Sequence, residues 1–258
     1  MNAATIDPLV TPQSAARREP SSVARRESSS VARRESSSVA RRAMIDGQLR
    51  TNEVNDPTLI AAIAAVARED FVPANRAAAA YADRAIAMEG GRAINPPLAT
   101  ARLIAEAGIH AGDRVLLIGG ATGYAAAIMA GLGAQITMVE DSAELVALAR
   151  TALADNAPSV AIVEGPLAAG APAGAPYTHL LIDGAVPAIP ASLLSQLADG
   201  ARISAGLAEK GVARLARAVF HASGSSETKD GADLALTPYA DLECITLPGF
   251  MPPASFAF

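Results

Sequence analysis

Three glycines and one carboxylate carry the most legible chemistry in this chain. Gly119, Gly120 and Gly123 follow the apolar run Val115-Leu116-Leu117-Ile118, and Glu140 follows a second run, Ile136 to Val139. Glycine lets a backbone turn tightly and approach a ligand, and a helix starting at such a turn directs its free N–H groups toward it. A carboxylate ~20 residues past the glycines sits where a nucleotide-binding βαβ unit places its acceptor for ribose hydroxyls. Gly119, Gly120, Ala121, Gly123 and Glu140 are therefore candidates for holding a nucleoside cofactor. Asp183, which follows the apolar run Leu180 to Ile182, is a further candidate. The plainer alternative is an ordinary βαβ unit whose glycines only permit close helix packing.

These residues need a sheet to position them. Val115 to Ile118 is too short for a helix, is flanked by Gly112 and Gly119, and reads as a strand buried on both faces. A helix over Ala125 to Leu132 and a strand over Ile136 to Val139 complete the unit. Then come a helix from Ser142 to Ala154, a strand from Val160 to Val163, a Gly/Ala/Pro loop from Gly165 to Pro176, and a strand ending at Asp183. A helix from Ala191 to Leu197 and a strand from Arg202 to Ala205 follow. The alternation predicts an α/β fold with a mostly parallel sheet and ligands at the C-terminal ends of its strands. Val212 to Phe220 and Leu242 to Leu247 read as two further strands that finish the sheet antiparallel.

Ahead of this core the chain reads as helical. Two short segments carry Met44, Leu49, Leu59, Ile60, Ile63 and Val66 at helical spacing, separated by Asn55-Asp56-Pro57, where an Asx cap precedes proline. Asn75 to Ala87 continues as an expected Ala-rich helix. Met88 to Pro97, MEGGRAINPP, then breaks the periodicity just before a helix from Leu98 to Ala107. It reads as a substrate loop or lid, or as a plain connection.

The first 42 residues differ in kind. Residues 19–42 repeat an Arg- and Ser-rich octad, EPSSVARR, ESSSVARR, ESSSVARR. An eight-residue period matches no coiled-coil repeat, and one Val and one Ala per octad bury too little to offset ordering. The expectation is a disordered or marginally helical tail, either a basic arm for anionic partners or a bland expansion. Eight Arg against four acidic residues give this stretch a charge of +4 and leave −9 for the rest of a chain whose total is −5. An acidic core argues against an enzyme that grips nucleic-acid phosphates. The one cysteine, Cys244, forms no internal disulfide. No apolar run reaches the ~20 residues of a membrane span and no secretory apolar core is present, so the expected location is the cytoplasm. The three scattered histidines suggest no metal site.

Larger motifs then point to a family. Met44-Ile45-Asp46-Gly47-Gln48-Leu49, Asp56-Pro57 and Phe71-Val72-Pro73 resemble the entry segment of the protein-L-isoaspartate O-methyltransferases, and Ala80-Tyr81-Ala82-Asp83-Arg84-Ala85 resembles their AYxDxA segment. Val115 to Tyr124, VLLIGGATGY, is similar to their VLEIGTGSGY turn. Val139-Glu140, Pro176 to Ile182 and Ile189 to Arg202 match further family motifs. No Tyr-x-x-x-Lys pair supports the alternative of a dehydrogenase.

The resemblance runs from about Met44 to Leu207. It implies a Rossmann-like class I methyltransferase fold with an N-terminal helical extension, divided into the tail at 1–42, a helical segment with the substrate loop at 43–108 and a core binding S-adenosyl-L-methionine at 109–258. It further implies methylation of the α-carboxyl of isoaspartyl residues in damaged proteins, with a protein or peptide carrying isoaspartate as the partner. The family's TISQP loop becomes Ala93-Ile94-Asn95-Pro96-Pro97. Asn95 thereby stands in the place of the family's serine at the acceptor, as the candidate catalytic residue, with Ile94, Pro96 and Pro97 lining the loop. Leu117, Ala121 and Pro166 replace an acidic residue, a glycine and the adenine-side Asp of the family pattern. These departures leave open a methyltransferase with another acceptor, or a catalytically weak cofactor-binding module.

Overall fold

The structure is a computed structural model and describes residues 34–209, 211–222 and 234–250. Most of the octad repeat therefore lies outside the described residues. The chain divides into one unit ending at Ser36 and a second running from Ser37. Of the first, residues 34–36 are described and are helical. The second opens with helix α1 over 37–44. Arg41, counted with the tail on sequence grounds, belongs here: its guanidinium donates to Tyr81 Oη and to the Ala64 carbonyl and lies 3.5 Å from Glu69.

Helix α2, Pro57–Ala65, begins as expected, with Asp56 accepting from the Leu59 N–H at 2.8 Å and Pro57 in the first turn. The Ala-rich run departs from expectation. Ala74–Ala79 forms a 3-10 turn and Ile86–Ala87 a short strand, β1. Side-chain anchors hold the end of this run to distant parts of the chain: Ala80 O accepts from buried Arg68 and Tyr81 O from Gln48. The loop after it is a hairpin in which β1 pairs with β2, Ala93–Ile94. Helix α3, Pro97–Ala107, follows directly.

The core is one seven-stranded sheet in the order β5-β4-β3-β6-β7-β8-β9. Its strands are β3 Arg114–Ile118, β4 Gln135–Glu140, β5 Ala161–Glu164, β6 Tyr177–Val186, β7 Leu197–Glu209, β8 Val212–Val219 and β9 Thr237–Ala240. The pairs from β5 to β7 are parallel, and β8 runs antiparallel to both its neighbours. Helices α4, Tyr124–Gly131, and α5, Ala143–Asn156, flank β4 in sequence, and α6 is short, Ala191–Leu194. In β3, Val115 and Leu117 join one apolar cluster with Leu103, Ile128 and Leu145, while Leu116 and Ile118 join another with Leu193 and Leu247. That two-sided burial explains why the strand reads as a continuous apolar run.

Two strand expectations need correction. Asp183 lies inside β6, which continues through Gly184, Ala185 and Val186 after a register shift between Ile182 and Ala185. Leu242 to Leu247 is not a strand of the sheet; the last strand among the described residues is β9, Thr237–Ala240. The alternating apolar residues at 245 and 247 instead serve a strap, bridged to Ala185 through Thr246. The main chain bonds are Ala185 N–H to Ile245 O at 2.6 Å and Leu247 N–H to Ala185 O at 2.9 Å. No helix among the described residues is long and apolar enough to cross a membrane.

Candidate functional site

The site forms at the C-terminal ends of β3, β4 and β6, where the sheet order reverses between β3 and β6. In open α/β sheets that switch point leaves a crevice for ligands. At its centre the turn after β3 runs through Gly119 (φ 72°), Ala121 (φ 48°) and Gly123 (φ 97°), the last capping α4. Gly123 is required twice over: its φ lies in the left-handed region, and a Cβ there would fall 2.7 Å from Leu153 Cδ1. Ala121 tolerates a similar φ because its N–H is fixed by Glu140 Oε2 at 2.9 Å.

Glu140 ends β4 with its side chain fully buried, 0% exposed. Its carboxylate also accepts from the N–H groups of Asp141 and Ser142, at 3.0 and 3.3 Å. Arg92, from the β1–β2 hairpin, places Nη2 2.9 Å from both carboxylate oxygens and Nη1 2.5 Å from Asp141. Burial pushes the Glu140 carboxyl up to about 7, with the Arg92 charge opposing that rise.

Asn95 follows β2 and is 1% exposed. Its Nδ2 donates to Asp183 Oδ1 at 2.8 Å and lies 3.4 Å from Cys244 Sγ, while its Oδ1 accepts from the Ile245 N–H at 2.8 Å. Thr100 Oγ1, on α3, donates to the same Asp183 oxygen at 2.9 Å. Burial raises the Asp183 carboxyl above its ordinary range, and the bonds from Asn95 and Thr100 counter it. Desolvation pushes the half-buried Cys244 thiol up to about 12, and it stays protonated.

Behind Asn95 lies Arg68, fully buried. It donates to the carbonyls of Ala80 and Asn95 at 2.8 and 2.6 Å and stacks 4.4 Å above the Tyr124 ring. Desolvation lowers its basicity, and the Tyr124 ring and Asp183 counter that. Its Nη1 is a buried donor with no hydrogen-bond partner among the described residues.

Of the residues singled out in the sequence, the structure joins Asn95 to Asp183 and Glu140 to the Gly119–Gly123 turn, with Leu247 packed against both Gly119 and Gly184. Ile94 pairs with Ile86 in the hairpin, and Pro96 and Pro97 start α3. Pro166 caps a 3-10 turn, and the adjoining Gly165 N–H donates to Glu140 O at 3.0 Å. Sequence reasoning missed Arg68, Arg92, Thr100 and the strap at 244–247. For Arg92 a signal existed: a lone cation in a Gly/Pro loop, with the acidic pair Glu140-Asp141 unmatched elsewhere. The other three carry none that is local.

Two groups cover this crevice. Leu247 packs on the turn so closely that Cβ positions built at Gly119 and Gly184 fall 2.5 Å from its side chain. Arg92 covers Glu140. The three histidines lie away from it: His179 is in register with Val115, at the far end of β6, His110 is in the turn before β3 and His221 follows β8.

Comparison with known proteins shows what the chain is similar to. A family described as protein-L-isoaspartate(D-aspartate) O-methyltransferase matches residues 40–243. A protein-L-isoaspartate O-methyltransferase of Methylorubrum populi is 35% identical over 195 residues, covering 76% of this chain and 92% of its own length. One from Koribacter versatilis is 38% identical over 161 residues, covering 62% and 72%. Among solved structures, a protein-L-isoaspartate O-methyltransferase superposes with a TM-score of 0.68 at 22% identity over 81% of this chain and 67% of its own. A Plasmodium falciparum structure described as the same kind of enzyme, in complex with S-adenosyl-L-homocysteine, gives 0.65 at 15% identity over 81% and 98%. The structural likenesses support the fold.

Proposed function

Because the chain belongs to the protein-L-isoaspartate(D-aspartate) O-methyltransferase family, we propose that it binds S-adenosyl-L-methionine and methylates the α-carboxyl of isoaspartyl residues in proteins. The observation that carries the cofactor is the pairing of the Gly119–Gly123 turn with the buried carboxylate of Glu140 at the β3/β6 switch point. The residues fit such a group in kind and position. Glu140 supplies the acceptor for ribose hydroxyls, and the turn supplies close backbone for the methionine end. Leu247 and Arg92 must give way for it. We place the enzyme in the cytoplasm as a repair activity, in keeping with its single cysteine.

The bound cofactor supplies an electrophilic methyl group on a sulfonium. An α-carboxyl, with a pKa of roughly 3.3–3.7, is already ionised at neutral pH and needs no general base. That agrees with the distance of all three histidines from the crevice. The protein's part is then to orient the acceptor and exclude water. Asn95 serves as donor to the acceptor carboxylate once its amide is released from Asp183, and Arg68 holds the Asn95 main chain in place through its carbonyl.

A second reading is favoured by Asp183 itself. A carboxylate 2.8 Å from the Asn95 amide repels an acceptor carboxylate and suits a hydroxyl or amine instead. Calorimetric titration tests the cofactor, with S-adenosyl-L-methionine and NAD added separately to wild type and to Glu140→Ala. Micromolar binding of the sulfonium, weakened by Glu140→Ala, supports the methyltransferase. Binding of NAD alone contradicts it. Labelled methyl transfer to isoaspartyl, hydroxyl and amine peptides then separates the two acceptor readings.

A further inference from the structure

The carboxylate of Glu140 is fully subscribed. Oε2 accepts from Ala121 N and Arg92 Nη2, and Oε1 accepts from Asp141 N and Ser142 N while also meeting Arg92 Nη2. An ionised carboxylate offers about four lone-pair sites, so five such contacts leave no place for a ribose hydroxyl. Three of the donors are main-chain groups fixed by the glycine turn and the start of α5. Arg92 alone can leave without unfolding the turn, and Asp141 keeps a second site for it.

Arg92 also fastens the tip side of its hairpin to the end of β4, while buried Ile86 and Ile94 seat its two strands on the core. The hairpin consists of two two-residue strands, and its tip carries Gly90 and Gly91 at φ 67° and 76°. Three residues after Arg92, Asn95 is bonded through Oδ1 to the Ile245 N–H of the strap, and the strap's Leu247 covers Gly119 and Gly184. One connected path therefore runs from the ribose acceptor to the cover of the crevice.

We propose that Arg92 is a positioning residue that makes nucleoside binding open the acceptor end. It clamps the hairpin tip to Glu140, and a ribose that takes Glu140 shifts Arg92 wholly onto Asp141, loosening the hairpin and, through Asn95, the Cys244–Leu247 strap. The order of binding follows: cofactor first, acceptor second. The proposal rests on the S-adenosyl-L-methionine reading for its trigger, while the clamp itself can be tested without ligand.

The test is hydrogen–deuterium exchange at three amides, Ala185, Ile245 and Leu247, read by NMR with and without S-adenosyl-L-homocysteine. In wild type the nucleoside should speed their exchange about tenfold, as expected for a local opening. Arg92→Ala should show the faster exchange without ligand, gain no further acceleration from it, and bind it more tightly at pH 8. Arg92→Lys should restore slow exchange. The double variant Arg92→Leu with Glu140→Gln removes both charges and guards against misfolding caused by a lone buried carboxylate; its ligand-free exchange should be fast as well. Unchanged ligand-free exchange in both the Arg92→Ala and double variants would overturn the clamp, as would protection of these amides by the nucleoside in wild type. Fast exchange in the variants with no nucleoside binding to any form would retain the clamp and sink the cofactor reading.

Discussion

Asn95 Nδ2 lies 2.8 Å from Asp183 Oδ1, a hydrogen bond that joins the segment after β2 to the middle of the sheet. On the proposed reading, the amide that would meet a substrate carboxylate is already engaged. Asn95→Ala leaves Asp183 with only Thr100 as a side-chain donor and leaves the Ile245 N–H without its acceptor. A loss of about 1–3 kcal/mol in unfolding free energy is expected from urea denaturation, the usual cost of stranding a buried polar group. Asn95→Asp, which adds a second carboxylate there, should cost more than Asn95→Ala.

Stability and cofactor affinity should respond to pH in opposite directions. Glu140 titrates near 7 in the folded protein against an ordinary 4.5, so between those values the native state holds a proton that the unfolded chain has released. Its contribution is fully present below about pH 4.5 and falls away as pH rises through 7, by on the order of 3 kcal/mol. Asp183, also raised by burial, acts with the same sign. The ribose needs the ionised carboxylate, so affinity for S-adenosyl-L-methionine should rise between about pH 6 and 8. Urea midpoints and calorimetry across that range check both, and Glu140→Gln should flatten each profile.

Removing Arg68 should be costly in a different way. Arg68→Met keeps the bulk over Tyr124 but leaves the carbonyls of Ala80 and Asn95 without their donor. A destabilisation of about 3 kcal/mol is expected from two stranded acceptors and the lost ring contact. Thermal unfolding measures it, and a change within about 0.5 kcal/mol, as at an ordinary surface site, would contradict the structural role.

Gly123→Ala forces a side chain into a φ of 97° and against Leu153. A cost of at least about 1–2 kcal/mol is expected from the backbone alone, together with loss of cofactor binding in the titration described above.

The sheet and its turn were readable because their signals are local. A doubly buried β3 shows as a four-residue apolar run, and the glycines of the turn show as themselves. The hairpin and strap were not, since their meaning lies in partners far along the chain. Asn95 meets Asp183 and Ile245, and Arg92 meets Glu140. The Ala-rich run after Asn75 reads as helical because propensity cannot register that distant Arg68 and Gln48 anchor its end through the Ala80 and Tyr81 carbonyls. Leu242 to Leu247 looked like a strand because its apolar alternation is real; Leu247 uses it to cover the glycine turn, while the strap's ladder contact is with Ala185.

The most direct measurement is transfer of one labelled methyl group from S-adenosyl-L-methionine to a synthetic isoaspartyl peptide, run beside its normal aspartyl twin with the full chain. The expected result is a base-labile methyl ester on the isoaspartyl peptide alone, reduced at least about tenfold by Glu140→Ala, the scale of a lost charge-assisted contact. Methylation of neither peptide by a protein that binds the cofactor, with transfer instead to a hydroxyl or amine acceptor, would contradict it and assign the site to the chemistry that Asp183 favours.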